Sequence, residues 1–143
     1  MSSETTQESF RARTLELANR AIESVAAADH DAARAAWLVT LDYAERRLSD
    51  DPIVSWVRSG LGAALLKTGD YRGALEMAAS ALAFCSSVRA PLASLTMAES
   101  FLRLGDMARA REYAEQACNL HGKGVLKSFS PSDREALGLD APP

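Results

Sequence analysis

Apolar residues recur at helical spacing along most of the chain, and short polar interruptions cut that rhythm into segments. Phe10, Leu17, Ala21 and Val25 share one helical face, which predicts a first helix over residues 3–28. "ADHD" breaks the pattern, and Asp29 or Asp31 can cap the next helix by accepting from its exposed N–H groups. Ala33, Trp37, Leu41, Ala44 and Leu48 form the stripe of this second helix, over residues 32–48. Its last turn holds Arg46 and Arg47, where positive charge suits the helix dipole. In "SDDP", Asp51 can cap a third helix over residues 52–67 that Pro52 opens. Thr68-Gly69-Asp70 turns the chain into a fourth, over residues 71–84. "CSSVRAP" separates it from a fifth over residues 91–104, and Gly105-Asp106 leads to a sixth over residues 107–120. "HGKG" reads as a flexible break. Ser130, Pro131 and Asp133 then start a short seventh helix that Gly138 ends, and "LDAPP" reads as frayed. No stretch has the alternation of a strand, so the expected class is all-α.

Two of these segments repeat each other. "LGAALLKTGDYRGALEMAASAL" (residues 61–82) and "MAESFLRLGDMARAREYAEQAC" (residues 97–118) align on Gly69 and Gly105, 36 residues apart. A bulky and a small residue come eight and seven positions earlier: Leu61-Gly62 and Met97-Ala98. Leu65 and Phe101 lie four before; Ala74 and Ala110 lie five after; Ala81 and Ala117 lie twelve after. Small residues at Gly62/Ala98 and Ala74/Ala110 let two antiparallel helices close together beside the turn. The bulky residues then fill the space between one hairpin and the next. Each hairpin leaves an apolar face uncovered, so neighbours must stack.

This pattern of Leu-Gly, bulky, Gly-Asp-Tyr, Ala and Ala resembles the tetratricopeptide repeat (TPR) family, whose unit is a helical hairpin of about 34 residues. The resemblance covers about residues 55–120 and implies antiparallel hairpins stacked as a short right-handed superhelix. The sequence departs from the family in three ways. No proline closes a repeat near Ser86 or Gly122, Ala78 and Ala114 stand where a large residue is usual, and the first clear repeat is about two residues long. About three hairpins are needed to bury a continuous core. "AADHDAARAAW" loosely echoes "KTGDYRGALEM", so the N-terminal part reads as a degenerate repeat with an overlong second helix. The expected organisation is one domain: residues 14–54 a degenerate repeat, 55–90 and 91–124 clear repeats, and 125–143 a short capping helix and tail.

Composition narrows the function classes. The chain has 143 residues, 48% hydrophobic and 24% charged, with a formal net charge of −3. No basic stripe is visible, so nucleic-acid binding lacks its electrostatic footprint. Charges are interspersed at helical spacing, as in Glu16/Arg20, Asp42/Arg46, Glu99/Arg103 and Arg111/Glu115, and read as solvated helix faces. Cys85 and Cys118 form no framework and read as small apolar residues in a reducing compartment. "MSSETTQESF" is not a signal pattern, and no apolar run reaches the ~18 residues of a membrane span. A soluble, cytoplasmic protein without membrane partners is expected.

Nothing in the sequence assembles catalytic chemistry. His30 in "DHD" has no second ligand at helical spacing, and a polar turn explains the triplet. His121 reads as a helix end. Neither cysteine has a histidine partner, "SGLG" and "HGKG" match no phosphate-binding loop, and Asp50-Asp51 is a capping pair. No enzyme activity, metal or cofactor is expected.

The TPR resemblance implies instead that the first helix of each hairpin lines a concave groove for a peptide or partner helix. Carried over on the turn glycines, the groove residues are Trp56, Ser59, Ala63 and Leu66 with Lys67 at the edge, then Leu92, Leu95, Glu99 and Leu102 with Arg103 at the edge. Family members that grip a C-terminal carboxylate use lysine, arginine and asparagine there; this set is apolar, with one glutamate. It suits an apolar segment or an amphipathic helix, with Trp56 as the natural anchor. The expected function is a non-catalytic protein–protein interaction module. One alternative is a chaperone of the bacterial type III secretion kind, which this chain resembles in size, acidity and repeat content. Another is a self-associating scaffold whose groove is a homodimer interface.

Overall fold

The computed structural model describes residues 3–139. Seven α-helices and one 3₁₀ segment run in order: α1 (Ser3–Ala26), α2 (His30–Arg47), α3 (Ile53–Lys67), α4 (Tyr71–Ser87), α5 (Leu92–Leu104), α6 (Met107–His121), the 3₁₀ segment (Lys123–Ser128) and α7 (Pro131–Leu137). No strand occurs among the described residues. Helices α1–α2, α3–α4 and α5–α6 pair as antiparallel hairpins, and each hairpin packs on the next. First helices touch first helices, α1 on α3 and α3 on α5. The result is a TPR-like stack of hairpins. The expected frayed tail lies, for residues 140–143, outside the described residues.

One turn is used three times. At Gly69, with φ +88°, the Asp70 N–H donates to Leu65 O and the Gly69 N–H to Leu66 O. At Gly105, with φ +87°, Asp106 and Gly105 donate in the same way to Phe101 and Leu102. This paired closure absorbs the orphan carbonyls of a helix end and needs a left-handed residue. The first hairpin makes the same bonds, Asp29 N–H to Ser24 O and Ala28 N–H to Val25 O. There the left-handed residue is Ala28, with φ +57°, not glycine. An aspartate caps the second helix each time: Asp29, Asp70 and Asp106 accept from the N–H of Ala32, Gly73 and Arg109. The chain also turns this way between hairpins at Arg89, φ +56°, where Ala90 N–H reaches Cys85 O.

Small residues set the spacing within hairpins. A Cβ on Gly62 would lie 3.2 Å from Ala78 N and 3.3 Å from Ala74 O, so α3 and α4 are nearly in backbone contact. Ala74, Ala98 and Ala110, assigned that role from sequence, are fully buried, as are Ala81 and Ala117. The core forms two clusters. One gathers Ala18, Ala21, Trp37, Leu41, Leu48, Val57 and Leu61 from α1 to α3. The other gathers Met97, Phe101 and Ala114 with Leu126, Phe129 and Leu137 of the C-terminal segment. Phe101 stacks on Tyr113 with ring centroids 5.6 Å apart.

Four expectations are corrected. "HGKG" is not simply a break: Lys123 and Gly124 begin the 3₁₀ segment, whose Leu126 is buried. Val25, expected on the core face of α1, is 49% exposed. It lies three residues before Ala28, the register that Leu66 and Leu102 hold before Gly69 and Gly105. Glu16 pairs with Arg13 (2.9 Å), whereas the other expected pairs form: Arg46–Asp42 and Arg111–Glu115 at 3.0 Å, Arg103–Glu99 at 3.6 Å. Asp51 does more than start α3. Its Oδ1 accepts from Ile53 N–H while its Oδ2 accepts from Arg11 Nε at 2.6 Å, tying α1 to α3.

Candidate partner-binding groove

The face of α3 and α5 opposite their second helices is set by the repeat register. Between them lies an open cleft of about 130 Å³, lined by Ala63, Leu66 and Lys67 from α3 and by Leu92, Leu95, Thr96 and Glu99 from α5. Ser128 and Phe129 of the C-terminal segment complete the lining. The lining is mostly apolar, with one cation, Lys67, and one anion, Glu99. Six of the ten residues carried over from the repeat pattern meet in this cleft.

The other four lie elsewhere, each for a visible reason. Trp56 is drawn towards α2, where its ring meets Trp37 edge-on with centroids 5.6 Å apart. Trp37 in turn lies against Gly60: a Cβ there would come within 2.5–2.7 Å of three ring carbons. Ser59 is buried, and its hydroxyl donates to Trp56 O at 2.6 Å. Leu102 packs against the C-terminal core cluster. Arg103 turns to α7, donating to both carboxylate oxygens of Asp133 at 2.6 and 3.3 Å, with Glu99 3.6 Å away. Hydrogen bonding to Arg103 holds the Asp133 carboxyl below its usual range, and the same bond raises the Arg103 pKa.

Helix α1 adds residues that the repeat alignment missed. Counted back from Ala28 as the others are from Gly69 and Gly105, the matching positions are Leu15, Ala18, Ile22, Val25 and Ala26. Ala18 is buried, as is Ser59 at the same register. Leu15, Ile22 and Val25 are large and apolar, yet 47%, 45% and 49% exposed. The register therefore puts an apolar row on the α1 face that corresponds to the cleft-lining faces of α3 and α5. Isolated exposed apolar residues are ordinary; a row that keeps to the repeat register is not.

Other features are chemically quiet. Among the described residues no group of three or more His, Cys, Asp or Glu is placed to hold a metal. Both cysteines are free, and burial raises the Cys118 thiol pKa. No helix among the described residues is long and apolar enough to cross a membrane. A larger polar hollow of about 270 Å³ lies between α1 and the α2–α3 turn. Arg11 and Asp51 pair within it, and Arg47 stacks over Tyr43 with its guanidinium 4.3 Å from the ring centre. Its cations are offset by Asp50 and Asp51, so it has no net preference for an anion.

No protein-family model and no curated protein matches the sequence. The fold does match solved structures. One is the crystal structure of the Yersinia enterocolitica type III secretion chaperone SycD in complex with a peptide of the translocator YopD. The TM-score is 0.64 at 20% identity, covering 96% of this chain and 92% of that one. At that identity the likeness establishes the shared helical-repeat fold.

Proposed function

We propose that this protein is a non-catalytic chaperone, built of three TPR-like hairpins, that holds an apolar segment of a partner protein along α1, α3 and α5. The observation that carries the reading is the row of apolar residues at one repeat register. It runs from Leu15, Ile22 and Val25 to the cleft of Ala63, Leu66, Leu92 and Leu95. Its support is physical: such a row costs solubility unless something covers it, and the fold is one in which a secretion chaperone has been seen with a peptide bound. That likeness favours a secretion-type chaperone over a general adaptor. Lys67 and Glu99 in the cleft lining would orient the segment through its backbone or polar groups. The site of action under this proposal is the cytoplasm.

The test is capture of partners by the wild-type protein and by Ile22→Glu and Leu95→Glu, with identification by mass spectrometry. A shared partner lost by both variants supports the proposal. Retention of every partner by both variants would place the binding surface elsewhere.

A further inference from the structure

The C-terminal segment does two things at once. Leu126, Phe129 and Leu137 complete the core of the last hairpin, all under 4% exposed. Ser128 and Phe129 also line the cleft. The segment joins α6 through Gly122, whose φ of +85° and ψ of +166° suit only glycine. Among the described residues its salt bridge to the body is the Arg103–Asp133 pair, and Arg103 also lies 3.6 Å from Glu99, a cleft residue. Arg134 holds the segment to itself, donating to Leu126 O and Phe129 O. Residues 123–139 are thus internally braced, hinged at a glycine and latched by one ion pair beside the cleft.

We infer that residues 123–139 are a gate on the cleft: Phe129 and an apolar ligand compete for space within it, and the Arg103–Asp133 latch sets how often the gate opens. Undocking withdraws the Phe129 ring from the lining and enlarges the space beside α3 and α5. A ligand that uses that space favours the open gate. Linkage then requires the converse, that a looser gate binds the ligand more tightly by the same factor. The inference rests on the cleft being a receptor for apolar groups, but its failure is separable. Partner capture can fail while gate and cleft remain coupled, and the reverse.

The probe is 1-anilinonaphthalene-8-sulfonate, an apolar ring system whose sulfonate suits Lys67. The measurements are dye affinity by fluorescence titration and hydrogen exchange of the amides in residues 123–139. Asp133→Asn and Arg103→Met break the latch from opposite sides. Each is expected to speed exchange in this segment about tenfold and to raise dye affinity by a similar factor. In the wild type, saturating dye should speed exchange in the same segment. Ala63→Phe, which fills the cleft from α3, should abolish the gain in affinity. Faster exchange with unchanged dye affinity in both variants would mean a purely structural pair and overturn the gate. So would wild-type exchange indifferent to dye, or a gain in dye affinity on breaking the latch that survives Ala63→Phe.

Discussion

Replacing Gly60 with alanine tests how the first two hairpins are joined. In a solvated helix this change stabilises by about 1 kcal/mol, because glycine loses more backbone freedom on folding. Here the new methyl would sit 2.5–2.7 Å from three carbons of the Trp37 indole. That ring is 5% exposed and braced edge-on by Trp56, so it has no free rotamer to retreat into. Overpacking of this kind costs about 1–3 kcal/mol, which offsets the propensity gain and leaves a net loss of up to about 2 kcal/mol. For a chain of this size that lowers Tm by up to roughly 7 °C. The assay is urea unfolding monitored by circular dichroism, run as a cycle with Trp37→Leu. In the Trp37→Leu background the clash is gone, and Gly60→Ala should become neutral or stabilising. A stabilising Gly60→Ala in the wild-type background would refute the Trp37–Gly60 packing.

Other substitutions and conditions probe separate contacts. Ala28→Gly should stabilise by about 0.5–1 kcal/mol: relief of the left-handed strain on Ala28 exceeds the extra entropy of an unfolded glycine, and thermal unfolding would register it. Ser94 is 1% exposed and its hydroxyl has no hydrogen-bond partner, so Ser94→Ala should be neutral or stabilising by up to about 1 kcal/mol in denaturant titration. Acid should loosen both inter-element ties. For Asp133, the Arg103 hydrogen bond sets a folded pKa below the unfolded one; for Asp51, burial pushes up but the Ile53 N–H and Arg11 more than offset it. Each therefore contributes stability that is complete above the unfolded carboxylate value of ~3.9 and is lost as pH falls through the folded value. Corrected for the intrinsic pH dependence of exchange, the protection of residues 123–139 should be constant from pH 7 to 5 and fall below about pH 4.

The hairpins were legible where the chain used the chemistry a turn demands. Gly69-Asp70 and Gly105-Asp106 announce a left-handed residue and then a cap, and the alanines at fixed offsets report close helix packing. The first hairpin hides the same turn because Ala28 takes a backbone conformation that alanine rarely adopts. The sequence still matches Asp29-His30 to Asp70-Tyr71, but without that glycine the groove positions were not carried onto α1, and Leu15 and Ile22 were missed. Counting from the capping Asp29, as from Asp70 and Asp106, would have recovered them. Gly60 was illegible for another reason: its partner, Trp37, belongs to a different helix, and no local pattern links them. The C-terminal segment was half legible. Ser130 does accept from Asp133 N–H, but the glycines of "HGKG" masked Leu126 and Phe129, an apolar pair three residues apart in polar surroundings.

The central claim is that one apolar face, formed by α1, α3 and α5, holds a partner segment. The most direct test is calorimetric titration of a captured partner's binding segment into the wild type, Ile22→Glu, Leu95→Glu and Leu38→Glu. Leu38 is as exposed as Leu15 but lies on α2, outside the row. Ile22 and Leu38 are exposed, so the unfolding free energies of their variants should stay within about 0.5–1 kcal/mol of wild type. Leu95 is half-buried against the C-terminal core cluster, and its variant is compared at a temperature where urea unfolding shows it fully folded. The account predicts that Ile22→Glu and Leu95→Glu each weaken binding at least about tenfold, as a buried charge in an apolar contact should, while Leu38→Glu leaves it unchanged. Full affinity in both groove variants, or a loss confined to Leu38→Glu, would contradict it.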